Sequence, residues 1–467
     1  MAETTGKLKM TEKLAYGFGD LASVLYWQTF MLYLTYFYTD VALLPLGAAS
    51  TMFLISRSWD GVNDPLMGII ADRTKTRWGK FRPYLLWLCV PFAFVGVLTF
   101  TVPDFGMTGK LIWAYATFIL IMMLYTAINI PYTALLGVIS PNSLERTTVS
   151  SIKFLFAFAA GVIVSATLLP MVKTLGGGNN ARGWQLSFVI YGIAAVIFFL
   201  IAFKGTRERV RPPKDQQTTI KKDLVDLVTN APWLILLAAT ITFILFVAVR
   251  SSVTTHYFKY VIGTQQVALP FLGSKLYSFE TLVSAFNTIG QISSFVGVLL
   301  VNWVAHLMGK KKAFILLFVI SILCTMAFYI LTAEQLGLIF LMQILGSMTG
   351  GPLSVLLWAM YADTADYGEW KRGRRATGLV FSASTMSQKF GWAIGSFVVL
   401  RLMAQVGYEP NQVQTAESIH GLLLLFSLIP AAMGGVSVLL LLIYPLNEKR
   451  VADMSEELEA RRQESGD

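Results

Sequence analysis

The amino-acid sequence predicts an all-α membrane protein with twelve transmembrane helices in two six-helix halves. Of its 467 residues, 55% are hydrophobic and only 14% are charged, which is far outside the range of soluble domains. Each apolar run is long enough to span a hydrocarbon layer of about 30 Å as a helix rising about 1.5 Å per residue. The runs lie near residues 14–39, 45–71, 83–103, 110–139, 151–173, 185–204, 232–262, 278–307, 313–332, 336–361, 376–405 and 418–445.

A polar segment near the middle of the chain separates the first six runs from the last six. The stretch KGTRERVRPPKDQQTTIKKD, residues 204–223, contains two adjacent prolines that stop a helix. A six-plus-six layout around a polar linker is typical of the major facilitator architecture, whose halves rock about a central site. The predicted domains are an N-terminal half at 1–204, a cytoplasmic linker at 205–230, a C-terminal half at 231–446 and a solvated, helical cytoplasmic tail at 447–467.

The net charge of +10 is explained by membrane topology. Lysine and arginine concentrate in alternate loops and do not form one basic face, so no nucleic-acid partner is expected. By the positive-inside rule these loops and both termini are cytoplasmic. The sequence therefore predicts a multi-pass protein of a bacterial inner membrane.

The second apolar run carries charges that lipid does not tolerate. Asp60 and Asp64 are four residues apart, so they share one helical face, and Arg57 lies one turn earlier on the same side. Inserting one ionised carboxylate costs roughly 2.5 to 3.5 kcal/mol on insertion scales. We expect both acids to face a polar cavity and to hold a cation, which is sodium, a proton or the Arg57 guanidinium. A structural Arg57–Asp60 ion pair is the alternative.

Three further runs carry polar stripes at helical spacing, and these stripes are expected to line a cavity. Trp27 has a ring suited to stacking on a sugar, and Lys389 can act as a counter-charge when the cation is absent. The stripes comprise Asp20, Ser23, Val24, Trp27 and Gln28; Tyr125, Thr126, Asn129 and Thr133; and Thr385, Gln388, Lys389 and Trp392.

No enzyme signature accompanies these stripes. The sequence contains no HExxH, no phosphate-binding P-loop and no GxSxG, so we expect neither an enzyme nor a bound cofactor. Transport, if that is the activity, is then driven by an ion gradient.

Five sequence blocks together resemble the glycoside-pentoside-hexuronide:cation symporters. They are YGFGD at 16–20, WDGVNDP at 59–65, DRTKTRWGKFRPY at 72–84, NIPY at 129–132 and ADYGEWKRGRRATG at 365–378. The resemblance implies the major facilitator fold. It also implies that Asp60 and Asp64 bind the cation, with Asn63 and Thr126 completing a possible Na⁺ site.

The resemblance extends to residues near the sugar. Lys389 matches a family lysine near the carboxylates, and Lys153 approximately matches a basic residue on the substrate side. In the melibiose branch two carboxylates grip the sugar, but Val24 and Asn129 stand at those positions here. NIPY and GYEPNQVQT, at 407–415, are closer to the glucuronide and xyloside carriers.

The expected function is therefore Na⁺- or H⁺-coupled symport of a glycoside by a monomer in the lipid bilayer. The alternatives are a lysophospholipid-type symporter of the same superfamily and a transport-inactive sugar sensor or membrane enzyme. The expected sugar-binding residues are Asp20, Trp27, Tyr125, Asn129, Lys153, Thr385 and Lys389. The expected charge network of the cytoplasmic closure is Arg57, Arg77, Lys80, Arg82, Asp366, Glu369 and Arg372.

Overall fold

A computed structural model describes residues 8–140, 142–209, 227–269, 273–372 and 377–465. Long helices dominate it, and they follow the apolar runs of the sequence closely. The helices are α1 (Met10–Tyr36), α2 (Leu46–Arg73), α3 (Arg82–Thr99), α4 (Met107–Val138), α5 (Ser143–Gly176), α6 (Asn180–Gly205), α7 (Ala231–Tyr257), α8 (Phe279–Met308), α9 (Lys310–Ala327), α10 (Leu336–Arg372), α11 (Thr377–Gln405), α12 (Ala416–Phe426), α13 (Leu428–Leu442) and α14 (Glu448–Ser465).

Short elements complete the described chain. Single π-helical turns, Phe37–Val41 and Phe258–Ile262, extend α1 and α7, and a 3₁₀ turn, Ala333–Gln335, precedes α10. The strands β1 (Gln265–Leu269) and β2 (Gly273–Tyr277) form a two-stranded sheet between α7 and α8 that the all-α prediction omits.

Eight helical segments within the described ranges are long and apolar enough to cross a membrane. The helices α1 and α9 are not among these segments, and α2 contributes the shorter apolar segment Leu46–Ser56. On α1, polar side chains such as Asp20 lower the mean hydropathy. The multi-pass membrane character of the chain is clear, whereas the count of twelve spans stays a prediction.

The chain divides into two compact units. The first unit comprises Met1–Asp215, Gln266–Thr288 and Leu400–Gln414, and the second comprises Gln216–Gln265, Ile289–Val399 and Thr415–Asp467. Most of the predicted linker lies outside the described residues. Its described start belongs to the first unit, where Arg209 forms an ion pair with Glu12 of α1 at 2.7 Å.

Aromatic rings fill the core of the first unit. Phe100, at the end of α3, stacks on Phe188 of α6 with ring centroids 3.7 Å apart, and Tyr26 of α1 packs on Phe92 of α3 at 4.3 Å. A side chain at Gly96 would overlap the Tyr26 ring, so glycine lets α1 and α3 approach closely.

The second unit packs α7 against α9, α10 and α13. Phe318 of α9 contacts Phe243 and Phe246 of α7 edge-on at 5.3 and 5.2 Å. The start of α7 is capped by Asn230, whose side-chain oxygen accepts from Trp233 N at 3.1 Å and whose amide donates to Thr364 O at 2.9 Å.

The last apolar run is predicted as one continuous segment, but the structure breaks it between α12 and α13. Pro430 has no N–H to donate to the carbonyl of Phe426, and its ring would clash with that carbonyl in a continuous helix. The break falls at Ser427, whose hydroxyl donates to Leu423 O.

The charged tail is helical as predicted, but it is not simply solvated. Met454 and Leu458 of α14 are buried, with 3% and 5% of their surface exposed. The Trp370 indole on α10 donates to Glu457 Oε2 at 2.7 Å. The prediction of a solvated terminus is therefore wrong, because an apolar stripe on α14 packs on the second unit.

Candidate substrate and cation site

A charged pair links α1 and α5 inside the first unit. Lys153 Nζ lies 3.6 Å from Asp20 Oδ1, and the two side chains retain 21% and 11% exposure. The Lys153 ammonium also lies 5.7 Å from the ring centre of Tyr132 on α4. Partial exposure leaves both charges within reach of a polar ligand, and their pairing offsets the cost of burying each one.

Two tyrosines support this pair. The rings of Tyr16 and Tyr132 stack 4.6 Å apart, and each hydroxyl donates to the other residue's carbonyl, at 3.1 Å for Tyr16 and 2.7 Å for Tyr132. A Cβ at Gly19 would overlap the Tyr132 ring. Glycine at this position therefore allows α4 to approach α1 and fixes Tyr132 below the Lys153 ammonium.

A second aromatic pair lies further along α1 and α4. Trp27 and Tyr125 stack with ring centroids 5.2 Å apart and a 27° angle between the rings. Both side chains are partly exposed. The Asn129 amide donates to Tyr125 O at 2.9 Å, which orients it beside this pair. Partly exposed, stacked rings beside a polar amide are suited to bind a sugar ring.

Two of the predicted cation residues, Asp64 and Thr126, are in contact between α2 and α4. The Thr126 hydroxyl donates to Asp64 Oδ1 at 2.9 Å, and Tyr115 donates to Ala48 O at 2.8 Å, so two hydrogen bonds hold these helices together. The Asn63 Nδ2 atom is buried and has no hydrogen-bond partner among the described residues. Carboxylate, hydroxyl and amide oxygens are hard donors of the kind that bind Na⁺, and a carboxylate by itself can bind a proton.

Other predicted site residues lie outside the described side chains or belong to the second unit. The side chains of Arg57, Asp60 and Arg372 lie outside the described residues. Thr385 and Lys389 lie four apart on α11 of the second unit, where Thr385 is exposed and Lys389 is partly exposed. Their roles stay predictions.

The predicted loop charges of the first unit surround a residue that the prediction omits. Glu208 accepts hydrogen bonds from the backbone N–H groups of Lys80, Phe81 and Arg82 at 2.9, 2.8 and 3.0 Å, which neutralises the start of α3. The Arg82 side chain donates to Phe203 O at 2.5 Å. Arg77 instead stacks over its neighbour Trp78, with its guanidinium carbon 4.4 Å from the ring centre.

In the second unit, Asp366 and Glu369 lie at the end of α10 and are partly exposed. The well-defined ion pair there joins two residues that the prediction omits, because Lys310 Nζ lies 2.6 Å from Asp363 Oδ2. Sequence spacing could not identify this pair, since it joins different helices. Tyr16, Tyr132 and Glu208 were missed for the same reason.

The described helices and the paired charges within the first unit are typical of a membrane transporter. The chain matches the family described as MFS/sugar transport protein over residues 15–448. It belongs to this family of sugar symporters, within the glycoside-pentoside-hexuronide group, and is a multi-pass inner-membrane transporter and not an enzyme.

Individual proteins agree with this assignment. The chain is 35% identical to the putative glycoside/cation symporter YagG of Escherichia coli (strain K12), covering 99% of this chain and 97% of the relative. It is 33% identical to the isoprimeverose transporter of Lactiplantibacillus pentosus, covering 96% and 91%. The crystal structure of a D-xylose-proton symporter superposes with a TM-score of 0.63 at 13% identity, covering 94% and 97%, and so shares the fold.

Proposed function

We propose that this protein couples the entry of Na⁺ or H⁺ to the uptake of a glycoside by alternating access. Twelve helices in two six-helix halves, with cytoplasmic termini, would expose the binding site to one side of the membrane at a time. Cation-coupled sugar transport is the activity of the family, and the coupling ion and the sugar are our proposals.

The arrangement of α4 carries this proposal. Tyr125 stacks on Trp27, while its neighbour Thr126 donates to Asp64. Adjacent residues of one helix thus contact the proposed sugar site and the proposed cation site. A cation that fixes Thr126 and Asp64 also restricts Tyr125, so each ligand raises the affinity for the other.

The sugar would lie along α1 and α4, with Trp27 and Tyr125 against a ring face. The Asp20–Lys153 pair and the Asn129 amide would hydrogen-bond its hydroxyls. The similarity to an isoprimeverose transporter favours a small glycoside of the xylose or glucose type. At the two positions where the melibiose branch has carboxylates, this chain has Val24 and Asn129. These features favour a xyloside, glucuronide or related glycoside over melibiose.

The first experiment is uptake of labelled glucosides, xylosides and glucuronides into proteoliposomes. An imposed sodium gradient and an imposed pH gradient are applied separately. Accumulation under one gradient identifies the coupling ion and the sugar together. Binding of a glycoside without flux under either gradient would support a sensor and contradict transport.

Asp64→Asn tests the cation site directly. It removes the charge that holds the cation but keeps the shape and the Thr126 partner, so we expect gradient-driven accumulation to fall at least 100-fold while sugar exchange persists. Asp104→Asn is the matched control, because Asp104 is exposed in the loop before α4. Full accumulation by the Asp64→Asn variant would contradict the assignment.

One surface feature favours the lipid-related alternative. An apolar hollow of about 650 Å³ between α2 and α4 is lined by Leu54, Ile55, Trp59, Ile119 and Met123. Such a hollow fits an acyl chain, although apolar surface is expected wherever helices face lipid. Uptake of a lysophospholipid by vesicles that accumulate no glycoside would establish this alternative in place of ours.

A further inference from the structure

We propose that the groove between α3 and α6 binds an anionic phospholipid, with an acyl chain in the groove and the phosphate on Arg77 and Lys204. The site would lie in the leaflet that the predicted topology makes cytoplasmic. A lipid held there is a bound partner of the protein and not the transported solute. The inference therefore goes beyond the proposed symport and does not depend on it.

The α3–α6 groove is an apolar hollow of about 300 Å³ on the surface of the first unit. Val90 and Phe94 of α3 and Ile193 and Ile197 of α6 line it, and between 49% and 62% of each of these side chains is exposed. Both helices are long and apolar enough to cross a membrane. The groove therefore faces the hydrocarbon of the bilayer, and an acyl chain is the ligand that suits it.

Two small residues give the groove its depth. Ala93 of α3 faces Gly192 of α6, where a Cβ would lie 3.4 Å from the Ala93 Cβ. The larger exposed side chains of both helices rise beside this pair. An acyl chain in such a hollow contacts protein on more than one side, which adds dispersion contacts that a flat helix surface does not offer.

An exposed stripe on α6 leads from the groove to a cation. Ile193, Ile197, Ile201 and Lys204 follow one another at spacings of four, four and three residues, so they share one helical face, and all four are exposed. Lys204 lies seven residues beyond Ile197, which is about 10 Å along the helix. A phospholipid with its phosphate on Lys204 would therefore place its acyl chain beside Ile197 and Ile193.

Two further cations lie near Phe203, the residue before Lys204. The Arg82 guanidinium carbon lies 5.0 Å from the centre of the Phe203 ring. Trp78 packs edge-on against the same ring with centroids 5.9 Å apart, and the Arg77 guanidinium stacks on Trp78. Three cations are thus gathered where α3 begins and α6 ends.

The carboxylate of this region is already engaged. Glu208 accepts hydrogen bonds from three backbone N–H groups at the start of α3. Arg77 and Lys204 are exposed, and neither side chain forms an ion pair or a hydrogen bond within the part of the chain that the structure describes. An anionic headgroup at the membrane surface can therefore serve as their counter-ion.

A guanidinium beside an ammonium suits a phosphate. Arg77 can donate two parallel hydrogen bonds to two phosphate oxygens, and Lys204 adds a compact positive charge. A zwitterionic phospholipid carries the same phosphate, but its own cation cancels the charge and is repelled by the basic side chains. We therefore expect phosphatidylglycerol to bind in preference to phosphatidylcholine.

The test measures lipid binding to the purified, delipidated full-length protein by native mass spectrometry. Dioleoyl phosphatidylglycerol is compared with dioleoyl phosphatidylcholine, which differs from it only in the headgroup. The variants are Arg77→Gln, Lys204→Gln and the two combined. Arg182→Gln is the matched control, because Arg182 is exposed at the opposite end of α6 from Lys204.

We expect wild type to bind phosphatidylglycerol about tenfold or more tightly than phosphatidylcholine. Each single substitution should lower this preference about fivefold, the contribution of one basic residue near an anionic membrane surface, and the double variant should lose it. Arg182→Gln should keep it. An unchanged preference in the double variant, or an equal loss in Arg182→Gln, would overturn the inference.

A groove substitution tests the position of the acyl chain. Ile197→Trp places an indole in the groove, so we expect both lipids to bind about threefold more weakly while the preference for phosphatidylglycerol persists. Ile112→Trp is the matched control, because Ile112 is 65% exposed on α4 and does not line the groove. Unchanged affinity of Ile197→Trp for both lipids would contradict an acyl chain at this place.

A soluble phosphate ester is the other occupant that two cations could attract. Competition by sn-glycerol 3-phosphate at the same affinity as phosphatidylglycerol would show that the cations bind a solute, which would overturn the lipid assignment. Absence of competition by a large excess of this ester would support the lipid. Failure of wild type to accumulate any glycoside would contradict the proposed function and leave the lipid site intact.

Discussion

The two units bury positive charge in different ways. In the first unit the Lys153 ammonium lies 3.6 Å from the Asp20 carboxylate, so the centre is neutral as a pair. In the second unit the Arg250 guanidinium contacts the rings of Phe328 and Phe426 and the neutral Gln343 amide. The ion pair of the first unit can exchange hydrogen-bond partners with a polar ligand, whereas the contacts of Arg250 hold its side chain in place.

The aromatic rings near these two sets of charges also differ, because one pair is partly exposed and the other is buried. Trp27 and Tyr125 of the first unit stack on each other and stay partly exposed. Phe426 of the second unit is buried between Arg250 and Tyr257, on whose ring it stacks at 4.1 Å. The rings of the first unit are therefore the ones that we propose for a sugar, whereas those of the second unit hold a side chain in place.

The largest expected effect comes from removing one member of the paired centre. Lys153→Ala leaves Asp20 buried without its partner, so we expect glycoside affinity to fall roughly 100-fold. The free energy of unfolding should fall by about 2 kcal/mol, less than the 3 to 5 kcal/mol for a fully buried pair because both side chains are partly exposed. Calorimetric binding and thermal melting in detergent measure the two effects.

A double variant tests whether the loss comes from the unpaired Asp20 charge. Asp20→Asn combined with Lys153→Met removes both charges, so we expect the double variant to be more stable than Lys153→Ala, though still unable to bind sugar. Arg250→Gln removes a guanidinium whose hydrogen bond goes to the neutral Gln343 amide, so its stability loss should be smaller. Equal stability losses for Lys153→Ala and Arg250→Gln would remove the distinction between the two centres.

The helix positions could be predicted from the sequence because lipid requires long, uninterrupted apolar runs. The polar stripes of α1 and α4 were also predictable, since lipid disfavours charges and amides and their helical spacing places them on one protected face. Asp20, Trp27, Tyr125 and Asn129 could therefore be selected from the sequence, and their role in sugar binding stays a prediction.

Contacts between distant segments were not predictable. Glu208 caps α3 from the segment after α6, and Tyr16 bonds to Tyr132 across 116 residues. Arg250 gave no periodic signal, because Gln343 and the two rings that it contacts lie near the start of α10, directly after α9 and at the end of α12. Such contacts depend on which helix faces pack together, and one sequence carries no information on that pairing.

Replacing a closely packed glycine by alanine should have an intermediate effect on stability in both units, but should change sugar binding only in the first. A Cβ at Gly19 in the first unit would overlap the Tyr132 ring, and a Cβ at Gly297 in the second would overlap the main-chain carbonyl of Met348. We expect each alanine variant to lose about 1 to 3 kcal/mol of stability through overpacking. Gly19→Ala should also weaken sugar binding, because Tyr132 lies beside Lys153.

Matched controls come from glycines with open space. No atom within 4 Å would meet a Cβ at Gly137 on α4 or Gly435 on α13. Their alanine variants should be as stable as wild type or more so by up to about 1 kcal/mol, since alanine favours helix. Sugar binding by Gly297→Ala is measured on folded protein only. If this variant binds sugar more weakly than wild type, Gly297 does not act through packing of the second unit alone.

The smallest expected effect tests the exposed rings of the first unit. Trp27→Phe keeps a ring on Tyr125 but removes half of the indole face, so we expect KM for the glycoside to rise about three- to tenfold, as for a loss of about 0.5 to 1.5 kcal/mol of stacking. Trp87→Phe is the control, because Trp87 is 47% exposed on α3. In the second unit, Phe426→Leu should instead lower the free energy of unfolding and leave KM for the glycoside within about twofold, since Phe426 is buried against Arg250 and Tyr257. Uptake kinetics and thermal melting measure both variants, and a rise in KM for Phe426→Leu as large as that for Trp27→Phe would remove the distinction between the two sets of rings.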